Sequence, residues 1–198
     1  MDIRGPHREL DIPLTTKKVL FIAGGTSVAP ALQIAHVLAR RGMADGETQA
    51  KGGEQTEMKI FWANRRREEV SAAKGATLEA ADRTRNQMIA LVQDLEQKTA
   101  GVAGVSLSTS YFVDEDNRFI QQKDLQDALA SFKAGRTASR FGDDTAESHE
   151  RVIVVSGPDG FVEYFAGPRR LRNGVEVSGL TGGLLSQMKL DGWTVNRL

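Results

Sequence analysis

The chain alternates short apolar segments, which are typical of buried strands, with longer segments whose apolar positions recur at helical spacing. The strand-like segments show either continuous apolar runs or alternation with β-branched residues. They lie at residues 19–23, 58–63, 105–113, 151–157 and 193–198. The helix-like segments lie at residues 30–41, 64–101 (in two pieces divided near Gly75), 122–135, 160–166 and 182–190.

Two of the helical segments lead to more detailed predictions. In the segment 30–41, Leu32, Ile34, Ala35 and Leu38 fall on one face at helical spacing, and Gly42 is expected to end the helix as a C-cap. Polar stretches without periodicity, at residues 42–57 and 136–150, are expected to be surface loops. The inner face of the second piece of the segment 64–101 is predicted to consist of Leu78, Ala81, Met88, Leu91, Val92 and Leu95.

This order of elements predicts an α/β fold. We expect a Rossmann-like parallel sheet of about five strands with helices on both faces. In such sheets a ligand binds at the carboxyl ends of the strands, beside the point where the strand order reverses. Three segments with ligand-binding character fall at strand ends in this chain, and we expect them to converge on one crevice.

The composition narrows the classes of partner. Lys and Arg total 26, and Asp and Glu also total 26. The net charge is therefore zero and does not favour binding to nucleic acid or to an anionic membrane. The absence of cysteine excludes disulfides and thiolate catalysis, and no His, Asp and Glu grouping has metal-ligand spacing. No apolar run approaches the roughly 20 residues of a membrane span. We therefore expect a soluble chain that binds no metal, nucleic acid or membrane.

The first strand end contains Gly24, Gly25, Thr26 and Ser27, followed by Pro30 in the first turn of a helix. Unpaired N–H groups at a helix N-terminus attract phosphate, and glycines let the backbone approach an anion closely. Thr26 or Ser27 can cap the helix or donate a hydroxyl group. The alternative is a tight strand-to-helix turn that binds nothing. The spacing matches neither the G-x-G-x-x-G fingerprint nor a Walker loop.

The second strand end contains Asn64 and Arg65, followed by Arg66 and Arg67. In doubly wound nucleotide-binding folds the end of the second strand meets the adenosine ribose, where arginine favours a 2′-phosphate. The alternative is a solvated helix start with paired charges, which is the commoner fate of a charge run. The arginines weakly favour NADPH, and NADH is the alternative ligand.

The third strand end follows the apolar run at 151–155 and reads "SGPDG". It places a small hydroxyl group and backbone N–H groups at the tip of a buried strand, opposite the first turn. The alternative is an ordinary glycine-proline turn. The candidate residues of this turn are Ser156, Gly157, Pro158, Asp159 and Gly160.

Together, "GGTSVAP", "IFWANRRREEV" and "VIVVSGPDGFVEYF" resemble, in order and spacing, the nicotinamide-nucleotide domain of the ferredoxin–NADP reductase superfamily, in its cytochrome b5 reductase-type branch. The resemblance implies that the chain binds NADPH or NADH. Residues 24–27 would then lie beside the pyrophosphate and nicotinamide, Asn64 and Arg65 beside the adenosine ribose, and residues 156–160 beside the nicotinamide ribose and ring.

The resemblance also implies a partner domain. Residues 1–14 resemble the last strand of the FAD-binding domain that precedes this module in the family, and residues 15–198 form the NAD(P)-binding domain. FAD would be bound only by a full-length parent, so this chain alone is expected to be inactive as a reductase. "RGPHRE", residues 167–170 and the ending "LLSQMKLDGWTVNRL" resemble mitochondrial FAD-linked reductases that assist haem attachment to cytochrome c. That resemblance implies a mitochondrial location, with cytochrome c or its haem-attachment machinery as a partner.

The chain departs from the family at Ser156, which stands where cytochrome b5 reductases carry a cysteine beside the nicotinamide. By resemblance Ser156 would position the nicotinamide ring, with hydride transfer weakened. An alternative function is therefore a catalytically weakened binding or scaffold module of cytochrome c maturation. A stand-alone nucleotide sensor is a third possibility.

Overall fold

Strands and helices alternate through the chain. This computed structural model describes residues 12–13, 15–45, 56–69, 80–100, 105–132, 150–169, 171–172, 175–176 and 182–198. The strands are β1 (Lys18–Gly24), β2 (Thr56–Asn64), β3 (Val105–Val113), β4 (Arg151–Ser156), β5 (Leu171–Arg172), β6 (Val175–Glu176) and β7 (Thr194–Arg197). The α-helices are α1 (Ala29–Asp45), α2 (Ala80–Ala100), α3 (Gln122–Ser131) and α4 (Asp159–Ala166). Short 3-10 helices lie at Gly25–Val28, Arg67–Glu69, Asp114–Asp116 and Leu184–Gln187.

Five of the strands form one parallel sheet in the order β3-β2-β1-β4-β7. The chain builds outward from β1 through β2 to β3, and then returns to the other side of β1 with β4. The strand order therefore reverses between β1 and β4, which is the switch point of the sheet. The predicted Rossmann-like parallel sheet of about five strands is confirmed. The short antiparallel pair of β5 and β6 was not predicted.

The sheet is buried on both faces. All seven positions of β1 and five of the six in β4 are buried, which explains why these segments are continuous apolar runs. Alternate residues of β1 enter two cores, with Phe21 on the side of α1 and α2 and Ile22 on the side of α3 and α4. The predicted inner face of α1 is confirmed by its buried members Ile34, Ala35 and Leu38.

Several helix predictions need correction. Helix α1 continues through Gly42 to Asp45, so Gly42 is not its C-cap. Interior glycine costs about 1 kcal/mol relative to alanine, and the Met43 and Ala44 that follow are good helix formers. Among the α2 residues whose side chains are described, Val92 is buried and Leu95 packs partly buried against the core, as predicted. Ile89 and Thr99, which were not predicted, are also buried, whereas Leu91, predicted to face inward, is 50% exposed. Leu78 and the predicted division near Gly75 lie outside the described residues, and so do the side chains of Ala81 and Met88.

The segment predicted as a helix at residues 182–190 contains only the 3-10 helix Leu184–Gln187. Backbone packing explains the difference. A Cβ added at Gly183 would lie 2.6 Å from the backbone N of Gly167 and from the carbonyl of Phe165. Gly183 also has a φ of 73°, outside the α-helical range. The segment is therefore fixed against the end of α4 in a conformation that a continuous helix cannot adopt.

The residues before β1 are tied to α1. The guanidinium group of Arg41 donates hydrogen bonds to the carbonyl oxygens of Ile12 and Pro13, both at 3.1 Å. Ile12 is also buried in the core beneath α1. Residues 1–11 and 14, which contain most of the predicted remnant of a preceding domain, lie outside the described residues. Within the described ranges, no helix is both long enough and apolar enough to cross a membrane.

Candidate functional site

A cleft of about 860 Å³ lies at the carboxyl ends of the parallel strands. Thr26 after β1, Asn64 at the end of β2 and Pro158 after β4 all line it. The three predicted segments therefore converge on one crevice at the switch point, as predicted. The candidate residues that line the cleft are Gly24, Gly25, Thr26, Ser27, Asn64, Arg65, Pro158 and Gly160.

The glycine turn after β1 is fixed against β2. Gly25 has a φ of 60°, a left-handed conformation that favours glycine, and a Cβ added there would meet no atom within 4 Å. Its carbonyl oxygen accepts a hydrogen bond of 2.7 Å from Nε1 of Trp62. The 3-10 helix Gly25–Val28 then leads directly into α1. The turn is therefore held in place on one side and faces open space on the other.

The space above Gly24 and Gly157 is filled. A Cβ added at Gly24 would lie 3.1 Å from Cγ of Phe161, and one at Gly157 would lie 2.6 Å from Cδ1 of the same ring. At Gly160, by contrast, an added Cβ would meet nothing within 4 Å. Gly24 and Gly157 thus make room for the Phe161 ring, whereas Gly25 and Gly160 border open space.

Asn64 is the buried polar residue at the end of β2. Its side chain is 5% exposed and lines the cleft. Its Nδ2 atom is buried and has no hydrogen-bond partner among the described residues. Because a buried donor without a partner costs free energy, the Asn64 amide would gain a hydrogen bond by turning towards a ligand oxygen in the cleft.

The three arginines after β2 differ in their surroundings. The Glu69 carboxylate accepts hydrogen bonds from the backbone N–H groups of Arg65 and Arg66, at 2.9 and 3.3 Å. The guanidinium group of Arg67 is paired with the Asp116 carboxylate, whose hydrogen bond and charge raise the pKa of Arg67. The Arg65 side chain is exposed and lines the cleft. Arg65 is therefore the arginine best placed to meet a bound anion, and the charge of Arg67 is already balanced.

An aromatic wall, defined as Phe161, Tyr164 and Phe165 of α4 together with Phe119 of the segment before α3, lines the cleft. Phe119 and Tyr164 are 51% and 57% exposed, which is unusual for large aromatic side chains. The Tyr164 and Phe165 rings pack edge to face, with centroids 4.9 Å apart. Sequence reasoning missed this wall, although aromatic residues at positions i, i+3 and i+4 of α4 signal a common helix face. Such a surface is suited to contact a planar base.

The other candidate residues do not line the cleft. Ser156 is 4% exposed and pairs in register with Ala23 of β1. Pro30 is the second residue of α1, Gly157 lies beneath the Phe161 ring, and Asp159 is the exposed first residue of α4. Among the described residues, no group of three or more His, Asp or Glu side chains is arranged to hold a metal ion.

Comparison with protein families gives one match over most of this structure. A family model described as the oxidoreductase NAD-binding domain matches residues 21–167, which is more than half of the chain. The matched range begins inside β1 and ends just after α4, so it contains all three strand ends at the cleft. Comparison with curated proteins gave no significant match, and neither did comparison with solved structures.

Proposed function

The chain belongs to the oxidoreductase NAD-binding domain family, within the ferredoxin–NADP reductase-like group, and we propose that it holds NADPH or NADH in the cleft for hydride transfer to a flavin on a separate domain. The observation that carries the proposal is the convergence of three strand ends on one crevice at the switch point of a parallel sheet. The flavin domain and the electron acceptor belong to the proposal and rest on the family resemblance.

The residues of the cleft fit the adenosine and pyrophosphate half of a dinucleotide. The open turn at Gly25 lies at the entrance to α1, where backbone N–H groups and the helix dipole favour an anion. The buried amide of Asn64 supplies a donor for a ribose or phosphate oxygen, and Arg65 adds a positive charge beside it. The exposed ring of Phe119 provides an apolar surface for the adenine base.

When bound, the reduced nicotinamide supplies the hydride, and this chain supplies position and neutralisation of charge. In the proposed arrangement, Pro158 and Gly160 hold the nicotinamide end, and the Gly25 turn and Arg65 neutralise phosphate. The aromatic wall excludes water from the cleft. Hydride transfer to a flavin needs no general acid or base from this chain. By the narrower resemblance, the electrons would pass to a haem protein or its assembly factor in mitochondria.

A second candidate function is a binding or scaffold module of cytochrome c maturation that has lost efficient turnover. The observation that favours it is the burial of Ser156, which stands at the family's cysteine position and does not line the cleft. In this function the domain would keep its fold and its partner, and nucleotide binding would be weak or lost.

Calorimetric titration of the purified chain with NADPH, NADH and 2′-phospho-AMP tests the proposal. We expect saturable binding of at least one of these ligands, weakened about tenfold by Asn64→Ala, which removes the amide. Val37→Ala, on the exposed side of α1, is the control, since Val37 is 43% exposed and does not line the cleft. Absence of binding at millimolar concentration would exclude the nucleotide function and favour the scaffold.

A second measurement addresses turnover. With a dye as electron acceptor, the chain alone should show no NADPH or NADH oxidation, because no flavin receives the hydride. Addition of a purified FAD-binding domain of the same parent should restore the reaction. Sustained dye reduction by the chain alone would contradict the division of labour between two domains.

A further inference from the structure

The ring of Phe161 covers the switch point itself. Gly24 ends β1, Gly157 follows β4, and these two strands are neighbours paired in parallel register. The same phenyl ring lies against both glycines. The ring therefore spans the gap between the carboxyl ends of β1 and β4.

The ring is held in this position by its own helix. The backbone N–H of Phe161 donates a hydrogen bond of 2.8 Å to the carbonyl oxygen of Pro158, which fixes the first turn of α4. The Phe161 ring also packs edge to face on Phe165, with centroids 4.9 Å apart. Phe161 is only partly buried, and it borders the cleft beside Gly25 and Gly160. The ring is therefore packed against its neighbours and also lines the crevice.

A dinucleotide in a doubly wound sheet lies across the crevice at the switch point. Its adenosine half would occupy the side of Asn64 and Arg65, and its nicotinamide half must then pass over Gly24 toward residues 157–160. The Phe161 ring stands in that path, whereas the space beside Gly25 is open. The adenosine half thus meets open space, whereas the nicotinamide half meets the Phe161 ring.

We propose that Phe161 is a plug that selects against the nicotinamide half of the ligand, an inference that rests on the proposed function. The adenosine half binds without moving the ring. The nicotinamide half binds only when the Phe161 side chain turns to another staggered rotamer and gives up its contacts with the two glycines. Only the molecules in which the ring has turned away can bind the whole dinucleotide. The apparent dinucleotide affinity is therefore the intrinsic affinity multiplied by the fraction of such molecules.

The proposal predicts a selective change in affinity. Wild-type protein should bind ADP about as tightly as NADH, and 2′-phospho-AMP about as tightly as NADPH. In Phe161→Ala the affinity for the whole dinucleotides should rise about tenfold, with the affinities for ADP and 2′-phospho-AMP within twofold of wild type. Phe161→Leu, which keeps a smaller apolar side chain, should give an intermediate rise. All four ligands are measured by calorimetry.

Phe132→Leu is the matched control, because it makes the same substitution at a buried phenylalanine outside the cleft. Phe132 lies just after α3 and packs on Trp193, which precedes β7 at the opposite edge of the sheet. This variant should leave the ratio of dinucleotide to mononucleotide affinity unchanged. Circular dichroism and thermal unfolding of each variant identify any loss of fold.

The outcomes separate this inference from the proposed function. If wild type binds the mononucleotides and the ratio stays unchanged in both Phe161 variants, the plug is wrong and the nucleotide function stands. A lower dinucleotide affinity in Phe161→Leu also overturns the plug, because the ring would then be a floor on which the ligand rests. If wild type binds none of the four ligands, both the proposed function and the plug are wrong.

Discussion

The contact between Gly157 and Phe161 predicts that Gly157→Ala changes the free energy of unfolding in opposite directions with and without the Phe161 ring. A Cβ at position 157 would lie 2.6 Å from Cδ1 of Phe161, against about 3.5–4.0 Å for an ordinary carbon contact. The ring would have to move by about 1 Å, and Phe165 packs on it. Overpacking of this kind costs about 1–3 kcal/mol. The φ of Gly157 is not in the left-handed region. Alanine at this position therefore raises the free energy of unfolding by about 0.4–1 kcal/mol, because it reduces the conformational entropy of the unfolded chain.

We therefore expect Gly157→Ala to lower the free energy of unfolding by about 1–2 kcal/mol when Phe161 is present. In a Phe161→Ala background the clash is gone, and the same substitution should raise the free energy of unfolding by about 0.5 kcal/mol. The coupling energy of the double-mutant cycle should then be about 2 kcal/mol.

Urea unfolding followed by circular dichroism measures the four proteins of this cycle. Gly160→Ala is the control, because a Cβ there meets nothing within 4 Å and the residue lies in α4. It should stabilise the protein by about 0.5–1 kcal/mol in both backgrounds. If Gly157→Ala is neutral or stabilising with Phe161 present, the Phe161 ring does not lie against Gly157 and the packing argument fails.

Three further predictions concern single side chains. Arg65→Ala should weaken NADPH binding about tenfold more than NADH binding. Because the charge of Arg67 is balanced by Asp116, Arg67→Ala should change NADPH and NADH binding equally in the same titrations. Equal losses of NADPH and NADH binding in Arg65→Ala would contradict the 2′-phosphate contact. Asn64→Ala should leave the thermal midpoint within a few degrees of wild type, because the buried Nδ2 has no partner among the described residues, and a large drop would show that the amide is structural. Burial, and secondarily the charge of Glu96, raises the pKa of Tyr111. The neutral phenol is thus favoured in the folded state, so wild type should lose stability as the pH rises above about 10, the unfolded pKa, and Tyr111→Phe should flatten this alkaline loss in denaturant titrations. The same variant removes a buried hydroxyl with no partner in the described structure and should not reduce stability at pH 7; an unchanged alkaline loss would contradict the assignment to Tyr111.

The sheet could be predicted from sequence because its strands are covered on both faces. Continuous apolar runs such as those of β1 and β4 have few other stable locations in a chain of this size. Helix ends were less predictable, since the penalty for Gly42 inside α1 is small compared with the gain from continuing the helix. The segment after Gly183 was not predictable, because its conformation depends on backbone contacts with Gly167 and Phe165.

The cleft itself followed from topology. Once strands alternate with helices, the carboxyl ends of β1, β2 and β4 must share an edge, so Thr26, Asn64 and Pro158 converge. The direction of single side chains did not follow. Periodicity does not reveal that Phe161 turns toward Gly24, or that Arg67 pairs with Asp116, 49 positions away along the chain.

The hydrogen bond from Trp62 to the Gly25 carbonyl gives the protein an intrinsic optical reporter of its cleft. An indole emits at a wavelength and intensity that depend on the groups around it, and here one of those groups belongs to the turn that borders the cleft. The other tryptophan, Trp193, packs on Phe132 at the opposite edge of the sheet and supplies a steady background. Rearrangement of the turn can thus be followed by fluorescence without attaching a label.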